Sequence, residues 1–414
     1  MAKPSLFALD LGTTKFCLAS ISKNVDKPSL DTVSIPAQGM RRGMLSDFQE
    51  VQKSLTSLLE LAERKFDDDI HKAVVGISGS HLRGQIVSLK IPIEESNPII
   101  ESFILSKAQE TLLKKNDAKL REIIHIIPLN YQIDDREWII NPVGFSGSSL
   151  TARYFVIDAD KNYVSDLIRL CNQCGIEVAK LIAEPYASAA VSIDDVKKNV
   201  GVAIADIGGG TTDGIIFKNG QPVRTFTINI GGQMITNDLS IGMGISFDEA
   251  ERIKIISGLK KEEDIPCIQV KDVHGKMKSI ARDLTHDILR FRTIELGELI
   301  LKETLLAQTY LSAGIILTGG GSEIAGLPEF LSQHLKIQVE KANPQIPFHN
   351  ISHQHKMTDP NLSSSSPTLA SKYATVAGLL YLGLLHNHGQ SPYHSTVGIT
   401  KYFQRFVSWI RELT

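Results

Sequence analysis

Cysteine is scarce in this sequence, with four in 414 residues, at positions 17, 171, 174 and 267. That number excludes a disulfide framework and suits a reducing cytoplasm. Cys171 and Cys174 form a single Cys-x-x-Cys. They lack the second pair or nearby Cys/His set that a zinc site needs, and the thioredoxin-like setting of a redox motif. They close an apolar, helix-like stretch, VSDLIRLCNQCG, and read as helix packing. A surplus of either charge is also missing: 44 Lys and Arg face 46 Asp and Glu, a formal net charge of −2. With no basic stripe, no nucleic-acid partner is expected. Long hydrophobic runs are absent too. The longest, from Ala374 to Leu385, carries two glycines and falls short of the roughly 20 residues that cross a bilayer, so it reads as a buried core helix. The opening MAKPSLFALD lacks the charged-then-apolar pattern of a signal peptide. His353, His355, His386 and His388 lie in polar connectors and read as solvated linker residues.

The apolar and charged fractions are those of a folded globular chain, and the length calls for two or more domains. SLFALD, LGTTK and FCLASI read as strand, tight turn and return strand. A helix follows at about Phe48 to Lys65, then a short buried strand, KAVVGIS. From Gly84 to Phe155 the texture changes. RGQIVSLKIPI, EIIHIIPLNYQID, EWIINP and SLTARYFVI are strand-like, with a helix near Ile99 to Leu113. This is a small α+β module inserted in a larger α/β framework. The framework resumes with a helix to Cys174, the strand EVAKLIA, and a helix starting at EPYASAAVS with Pro185 early in it. VGVAIADIGGGTTDGIIF is a second strand-turn-strand, and QPVRTFTINI extends its sheet. Charged helices are expected from Gly232 to about Lys302. GIILTGGGSEIAGLPEFL reads as strand, glycine turn and helix, residues 350–370 as a surface loop, and YATVAGLLYLGLL as a helix.

Three glycine turns carry the chemistry. The first is Asp10-Leu11-Gly12-Thr13-Thr14-Lys15. The second is Asp206-Ile207-Gly208-Gly209-Gly210-Thr211-Thr212-Asp213. The third is Thr318-Gly319-Gly320-Gly321-Ser322. Each follows an apolar strand. Glycine lets backbone N–H groups approach phosphate oxygens, and consecutive N–H groups form an anion-binding concavity. Threonine hydroxyls add donors and Lys15 a point charge. Asp10 and Asp206, at strand ends, suit a hydrated Mg2+. Two related D-x-G turns about 200 residues apart imply a duplication, with two α/β halves facing one nucleotide cleft. Neither D-x-G turn has the G-x-G-x-x-G form of a dinucleotide fingerprint.

The order DLGTTK, AEPYASAA, DIGGGTTD, LTGGGSEI, YATVAGLL resembles the actin superfamily. The resemblance implies ATP as the nucleotide, two phosphate loops (Asp10 to Lys15 and Asp206 to Asp213) and an adenosine loop (Gly319, Gly320, Gly321). It makes Glu251 and Lys254, in the run AERIK, contacts of the base. It puts Glu184 near the attacking water or the metal shell. That carboxylate either positions water or favours the helix beginning at Pro185, since acids suit helix N-termini. Within the superfamily, VVGISGSHLRG, NPVGFSG and the GGQMITNDLS turn resemble the FtsA family of cell-division proteins. PilM-like pilus assembly proteins share the core and are the runner-up. The expected division is 1–83 with 156–195 as a first domain and 84–155 as the insert. Residues 196–385 form a second domain with a helical subdomain at about 232–302. A linker spans 386–398, and an amphipathic helix spans 399–414.

Wound at about 100° per residue, Ile399, Tyr402, Phe403, Phe406, Trp409, Ile410 and Leu413 fall on one arc. Lys401, Arg405 and Arg411 oppose them with a single acid, Glu412. An aromatic face against a basic face is the pattern of a helix lying in a membrane interface; the alternative is docking on the protein's own core or on a partner. The family resemblance implies slow ATP hydrolysis at most, self-association into polymers, and a site on the cytoplasmic face of the membrane at the division septum. It also implies tethering of the tubulin-like ring protein FtsZ through its C-terminal tail, and recruitment of later division proteins. The tail would meet the helical subdomain, with Arg292 as a contact, and the later proteins would meet the insert. A metabolic kinase would need a sugar pocket with a catalytic acid, and a chaperone a substrate-binding domain after the ATPase. Neither signature is present.

Overall fold

The computed structural model of the chain describes residues 6–21, 29–94, 98–115, 120–259, 267–347 and 369–387. Residues 350–368 of the expected surface loop lie outside the described residues. So do the linker from 388 onward and the amphipathic helix at 399–414.

Two five-stranded sheets repeat one plan. The first contains β1 (Phe7–Leu11), β2 (Lys15–Ile21), β3 (Leu30–Pro36), β6 (Lys72–Ile77) and β11 (Glu177–Ala183), in the order β11-β6-β1-β2-β3. The second contains β12 (Val202–Ile207), β13 (Thr212–Lys218), β14 (Gln221–Ile228), β17 (Ile315–Thr318) and β18 (Val339–Lys341), in the order β18-β17-β12-β13-β14. In each, the strand before the Asp-x-Gly turn pairs antiparallel with the strand after it and parallel with its other neighbour. A two-stranded ribbon, β4 (Met40–Arg41) with β5 (Met44–Leu45), leans over the first sheet's turn.

Helices cover both faces of each sheet. Beside the first sheet, α1 (Phe48–Phe66) and α3 (Lys161–Gln173) bury Leu55, Leu58 and Leu167 against Leu9, Leu18 and Val75. The spacing of Val51, Leu55, Leu58 and Ala62 makes one apolar face of α1. Asp47 caps its start by accepting from the N–H groups of Gln49 and Glu50. Cys171 and Cys174 pack in this same layer as free thiols. On the other face, α4 (Glu184–Ser192) crosses α10 (Ala374–Asn387). A Cβ on Gly378 would stand 1.9 Å from the Ala187 carbonyl, so only glycine allows the crossing. A short α5 (Asp195–Val200) leads into the second sheet.

The second sheet is covered by α6 (Gly232–Met243), α7 (Phe247–Ser257), α8 (Arg282–Leu306) and α9 (Leu327–Leu335), around Ile207, Leu239, Ile253, Leu296 and Leu317. The structure adds detail to two sequence expectations here. The stretch 232–302, expected to be dominated by charged helices, also contains a hairpin, β15 (Cys267–Lys271) with β16 (Met277–Ala281). Its buried Val270 and Ile280 alternate with exposed residues. Asp272 accepts from the N–H groups of His274 and Lys276, closing the turn that contains Gly275 at φ +78. After the third glycine turn, a single 3-10 turn, Gly320–Glu323, precedes α9.

A separate four-stranded antiparallel sheet is inserted within the first repeat, between β6 and β11. It contains β7 (Arg83–Pro92), β10 (Ser149–Asp160), β8 (Arg121–Ile133) and β9 (Trp138–Ile139), in that order across the sheet, with α2 (Ser102–Lys115) on one face. Only two residues of EWIINP pair as a strand. Phe155, Ile127 and Leu129 on the sheet's other face pack with Ile204 and Ile215 of the second sheet. Asp158, fully buried, is held by Arg83 and Arg121 from the two flanking strands.

Candidate functional site

Each Asp-x-Gly turn closes by the same bond. Gly12 N–H donates to the Lys15 carbonyl at 3.1 Å, and Gly208 N–H to the Thr211 carbonyl at 2.9 Å. The turns face each other. A Cβ on Gly209 would meet the Thr14 side chain at 2.1 Å, and one on Gly210 would meet Thr13 and the backbone of Arg42 at 2.9 Å. Two consecutive glycines are therefore a steric requirement of the facing arrangement.

The start of α6 orients the second turn. Gly232 N–H donates to the Gly208 carbonyl at 2.8 Å and Gln233 N–H to the Gly209 carbonyl at 2.9 Å. In a planar trans peptide the N–H points opposite to its C=O. Anchoring these two carbonyls on α6 therefore turns the N–H groups of Gly209 and Gly210 away from that helix. Those amides form a concavity suited to an anion.

The threonines divide by role. Thr211 donates its hydroxyl proton to Asp213 at 2.7 Å, and Thr212 donates to the Ile230 carbonyl at 2.7 Å. Thr13 accepts from Gly43 N–H at 2.9 Å and keeps its own proton to donate. Thr14 lies against Gly209. Lys15 donates to the Lys372 carbonyl at 2.7 Å and stands over the Tyr373 ring.

Four acids converge from both halves. Asp10 ends β1, and burial pushes its pKa up to about 6, with Lys15 opposing the shift and Asp206 adding to it. Asp206 ends β12 and accepts from Thr375 at 2.6 Å and Ser188 at 2.9 Å, one hydroxyl from each crossing helix. Burial outweighs those bonds and raises it. Asp213 is raised by burial against the hydrogen bonds of Thr227 and Thr211. Glu184 is raised well above the usual carboxylate range by enclosure of its carboxyl, then by the charge of Asp10, against a hydrogen bond from Ser78. It sits in the first turn of α4, whose N-cap residue, Ala183, makes no side-chain capping bond. Its carboxyl lies beside Gly76, where a Cβ would meet it at 2.7 Å.

The third turn stacks on the second. β17 pairs with β12 so that Thr318 stands opposite Asp206, and a Cβ on Gly319 would lie 2.2 Å from Asp206 Oδ1. Gly321 packs as closely on Ile207, whereas Gly320 faces open space. Lys254 is brought to this wall but is committed within it. It donates to the Gly232 carbonyl, Thr236 Oγ1 and Glu251 Oε2, using all three ammonium protons. Arg292 lies away from the turns, forked onto Asp238 at 2.6 and 3.1 Å and paired with Glu295 at 2.5 Å. It is a strut between α6 and α8.

Sequence reasoning missed Arg42, whose backbone abuts Gly210 and Thr13. It also missed Gly79 and Thr227, which hold Asp213. The RRG of the β4–β5 turn, where Arg42 and Gly43 both take positive φ, is the available signal for the first. Gly79 lies in the VVGISGSHLRG run and Thr227 in the QPVRTFTINI strand, but neither run marks them as partners of a carboxylate.

Comparison with known proteins follows this geometry. The family model "Cell division protein FtsA" matches residues 203–370, and the model "SHS2 domain inserted in FTSA" matches residues 79–158. The cell division protein FtsA of Escherichia coli (strain K12) is 27% identical, over 98% of this chain and 97% of its own length. That of Bacillus subtilis (strain 168) is 28% identical, over 81% of this chain and 78% of its own. Among solved structures, the PilM-PilN type IV pilus biogenesis complex superposes with a TM-score of 0.59 at 16% identity, covering 92% of this chain and 98% of that one. MreB5 of Spiroplasma citri bound to ADP gives 0.53 at 15% identity, over 94% and 98%. These two show the fold, which is actin-like. By its two family models and by relatives matched over most of its length, the chain belongs to the FtsA family of cell division proteins.

Proposed function

We propose that this chain binds ATP with Mg2+ between the two Asp-x-Gly turns. It lies on the inner face of the cytoplasmic membrane through residues 399–413, self-associates, and ties the ring protein FtsZ to that membrane at the division site. The mirrored pair of turns, with two amides aimed away from α6 and four acids gathered behind, carries the nucleotide part. Gly209, Gly210, Thr13 and Lys15 then receive phosphates, Gly319 to Gly321 and Glu251 line the adenosine side, and Lys254 fixes that wall.

The acids fit a divalent cation on charge. Like charges enclosed together raise one another's pKa, and a cation among them reverses that. Among the described residues, no three His, Cys, Asp or Glu side chains lie close enough to ligate one ion. Asp10 and Asp206 are therefore assigned to its waters, and the ion supplies neutralisation of phosphate charge.

The membrane part rests on the sequence pattern of 399–413; among the described residues no helix is long and apolar enough to cross a bilayer. A single interfacial helix binds reversibly, and neighbouring tails on a polymer bind together. The FtsZ tail is assigned to the helical lobe. There Ile241 and Phe291 are about three-quarters exposed, and Arg292 clamps the helices that carry them. Later division proteins are assigned to the inserted sheet, where Ile99, Phe103, Ile140 and Phe145 are exposed. The pilus-scaffold alternative is less supported, since both family models are of FtsA.

Flotation with anionic vesicles tests the reading. The full chain should float, and Phe406→Glu and a truncation after Gly389 should not. Equal flotation of the truncation would refute the tail assignment.

A further inference from the structure

Asp213 is gripped more completely than any other acid of the cluster. Thr227 Oγ1 donates to its Oδ1 at 2.6 Å, Gly79 N–H reaches the same oxygen at 3.3 Å, and Thr211 Oγ1 donates to Oδ2 at 2.7 Å. A carboxylate offers about four acceptor positions. Three donors leave one, on Oδ2. The grip spans the molecule, because Thr227 and Thr211 come from the second sheet while Gly79 follows β6 of the first. The Thr227 hydroxyl also lies 3.2 Å from the Gly79 carbonyl, as the minor branch of a three-centre bond. Gly79 holds φ +103 against Gly43, a conformation that suits glycine alone.

The half-buried Thr227 needs no such partner for its own sake, since strand threonines are at ease with water. The consequence falls on Asp213, whose remaining acceptor is fixed in direction within an acid cluster that includes Glu184 and Asp206. We propose that Thr227 is a positioning residue for ATP hydrolysis, holding Asp213 so that its last acceptor position receives a proton of the attacking water. In that step the water oxygen bonds to the γ-phosphorus. The bond to the β–γ bridging oxygen breaks, its electron pair staying with ADP, and the proton leaving the water passes to Asp213. A pre-aimed acceptor contributes through orientation rather than through affinity. The inference rests on the nucleotide reading above.

The test compares wild type, Thr227→Val and Thr227→Ser. Equilibrium dialysis with labelled ATP is followed by single-turnover phosphate release with protein in excess. Valine keeps the strand shape and removes the hydroxyl; serine keeps the hydroxyl. Thr227→Val should bind ATP within about twofold of wild type and release phosphate about tenfold more slowly, the effect of one hydrogen bond to a charged group. Thr227→Ser should recover to within about threefold, which a merely structural role of the threonine methyl would not allow. Wild-type rates in Thr227→Val, no recovery in Thr227→Ser, or a wild type that binds ATP and releases no phosphate would each overturn the proposal alone. A wild type that binds no ATP would overturn the nucleotide reading and this inference with it, and the dialysis step separates that case.

Discussion

In the first sheet, Asp10 stands opposite Cys17 across the turn; in the second, Asp206 stands opposite Asp213. The registers match position for position, as do the closing bonds of Gly12 and Gly208. Yet the first turn brings Thr13, Thr14 and Lys15, whereas the second brings bare glycine amides oriented by α6. At the position equivalent to Asp213 the first half has a buried thiol pushed up to about 12 by its surroundings, inert as a nucleophile. Duplication supplied one backbone device twice, and the side chains then separated its roles. The first half offers side-chain donors, and the second offers backbone donors and a fixed carboxylate.

Substitution can break this comparison, most severely at the glycines. Gly319→Ala should destabilise by about 3 kcal/mol in chemical denaturation. Its φ is +80, and the new Cβ would stand 2.2 Å from Asp206 Oδ1 and 2.6 Å from the Ile207 carbonyl. On the first-half side, Gly76→Ala meets the movable Glu184 side chain and should cost about 1 kcal/mol. Equal losses would mean that the two halves are packed equally tightly.

The two acids should respond in the same direction but by different amounts. The folded-state pKa of Asp10 is raised to about 6, above its unfolded value. Its charge therefore opposes folding above pH 6, and that penalty is lifted as pH falls toward 4. Asp10→Asn should stabilise the nucleotide-free chain by up to about 3 kcal/mol at pH 8, with the gain fading below pH 6, while ATP binding falls. Burial raises Asp206 as well, but Ser188 and Thr375 both donate to its Oδ2, and the amide oxygen of Asp206→Asn is a weaker acceptor for them, so its gain at pH 8 should be the smaller by about 1 kcal/mol. Melting curves from pH 4 to 8 would distinguish the two.

Smaller effects sharpen the division among the threonines. Thr212→Val should cost about 1 kcal/mol of stability through the Ile230 carbonyl and leave ATP affinity unchanged. Thr13→Val should weaken ATP binding several-fold. Arg292→Lys, away from both turns, exchanges a forked ion pair for a point charge. It should cost about 1 kcal/mol or less, with no effect on nucleotide.

Much of this architecture was legible. Apolar strands running into Asp-x-Gly turns announce themselves through short-range chemistry, so both turns, their flanking strands, α1, α4 and the inserted sheet could be read directly. What escaped depends on distant partners. Arg292 reads as a partner contact on a helix surface, and its pairing with Asp238, 54 positions away, shows only when the chain is folded. Lys254 reads as a ligand contact until Gly232 and Thr236 take its protons. The β15–β16 hairpin was hidden because its buried face is little more than Val270 and Ile280, too weak an alternation against long helical neighbours. The runs that contain Gly79 and Thr227 show a strand and a turn but not their shared partner, and only the closure of two sheets on Asp213 gives them a role.

The central claim is that two unlike turns jointly hold one nucleotide. Equilibrium dialysis of labelled ATP against the wild type, Gly12→Val and Gly209→Val, each checked for folding by circular dichroism, tests it most directly. We predict one ATP per wild-type chain and loss of binding by more than about a hundredfold in either variant, since each turn supplies part of the same anion site. Binding that survives the disruption of either turn would contradict the account.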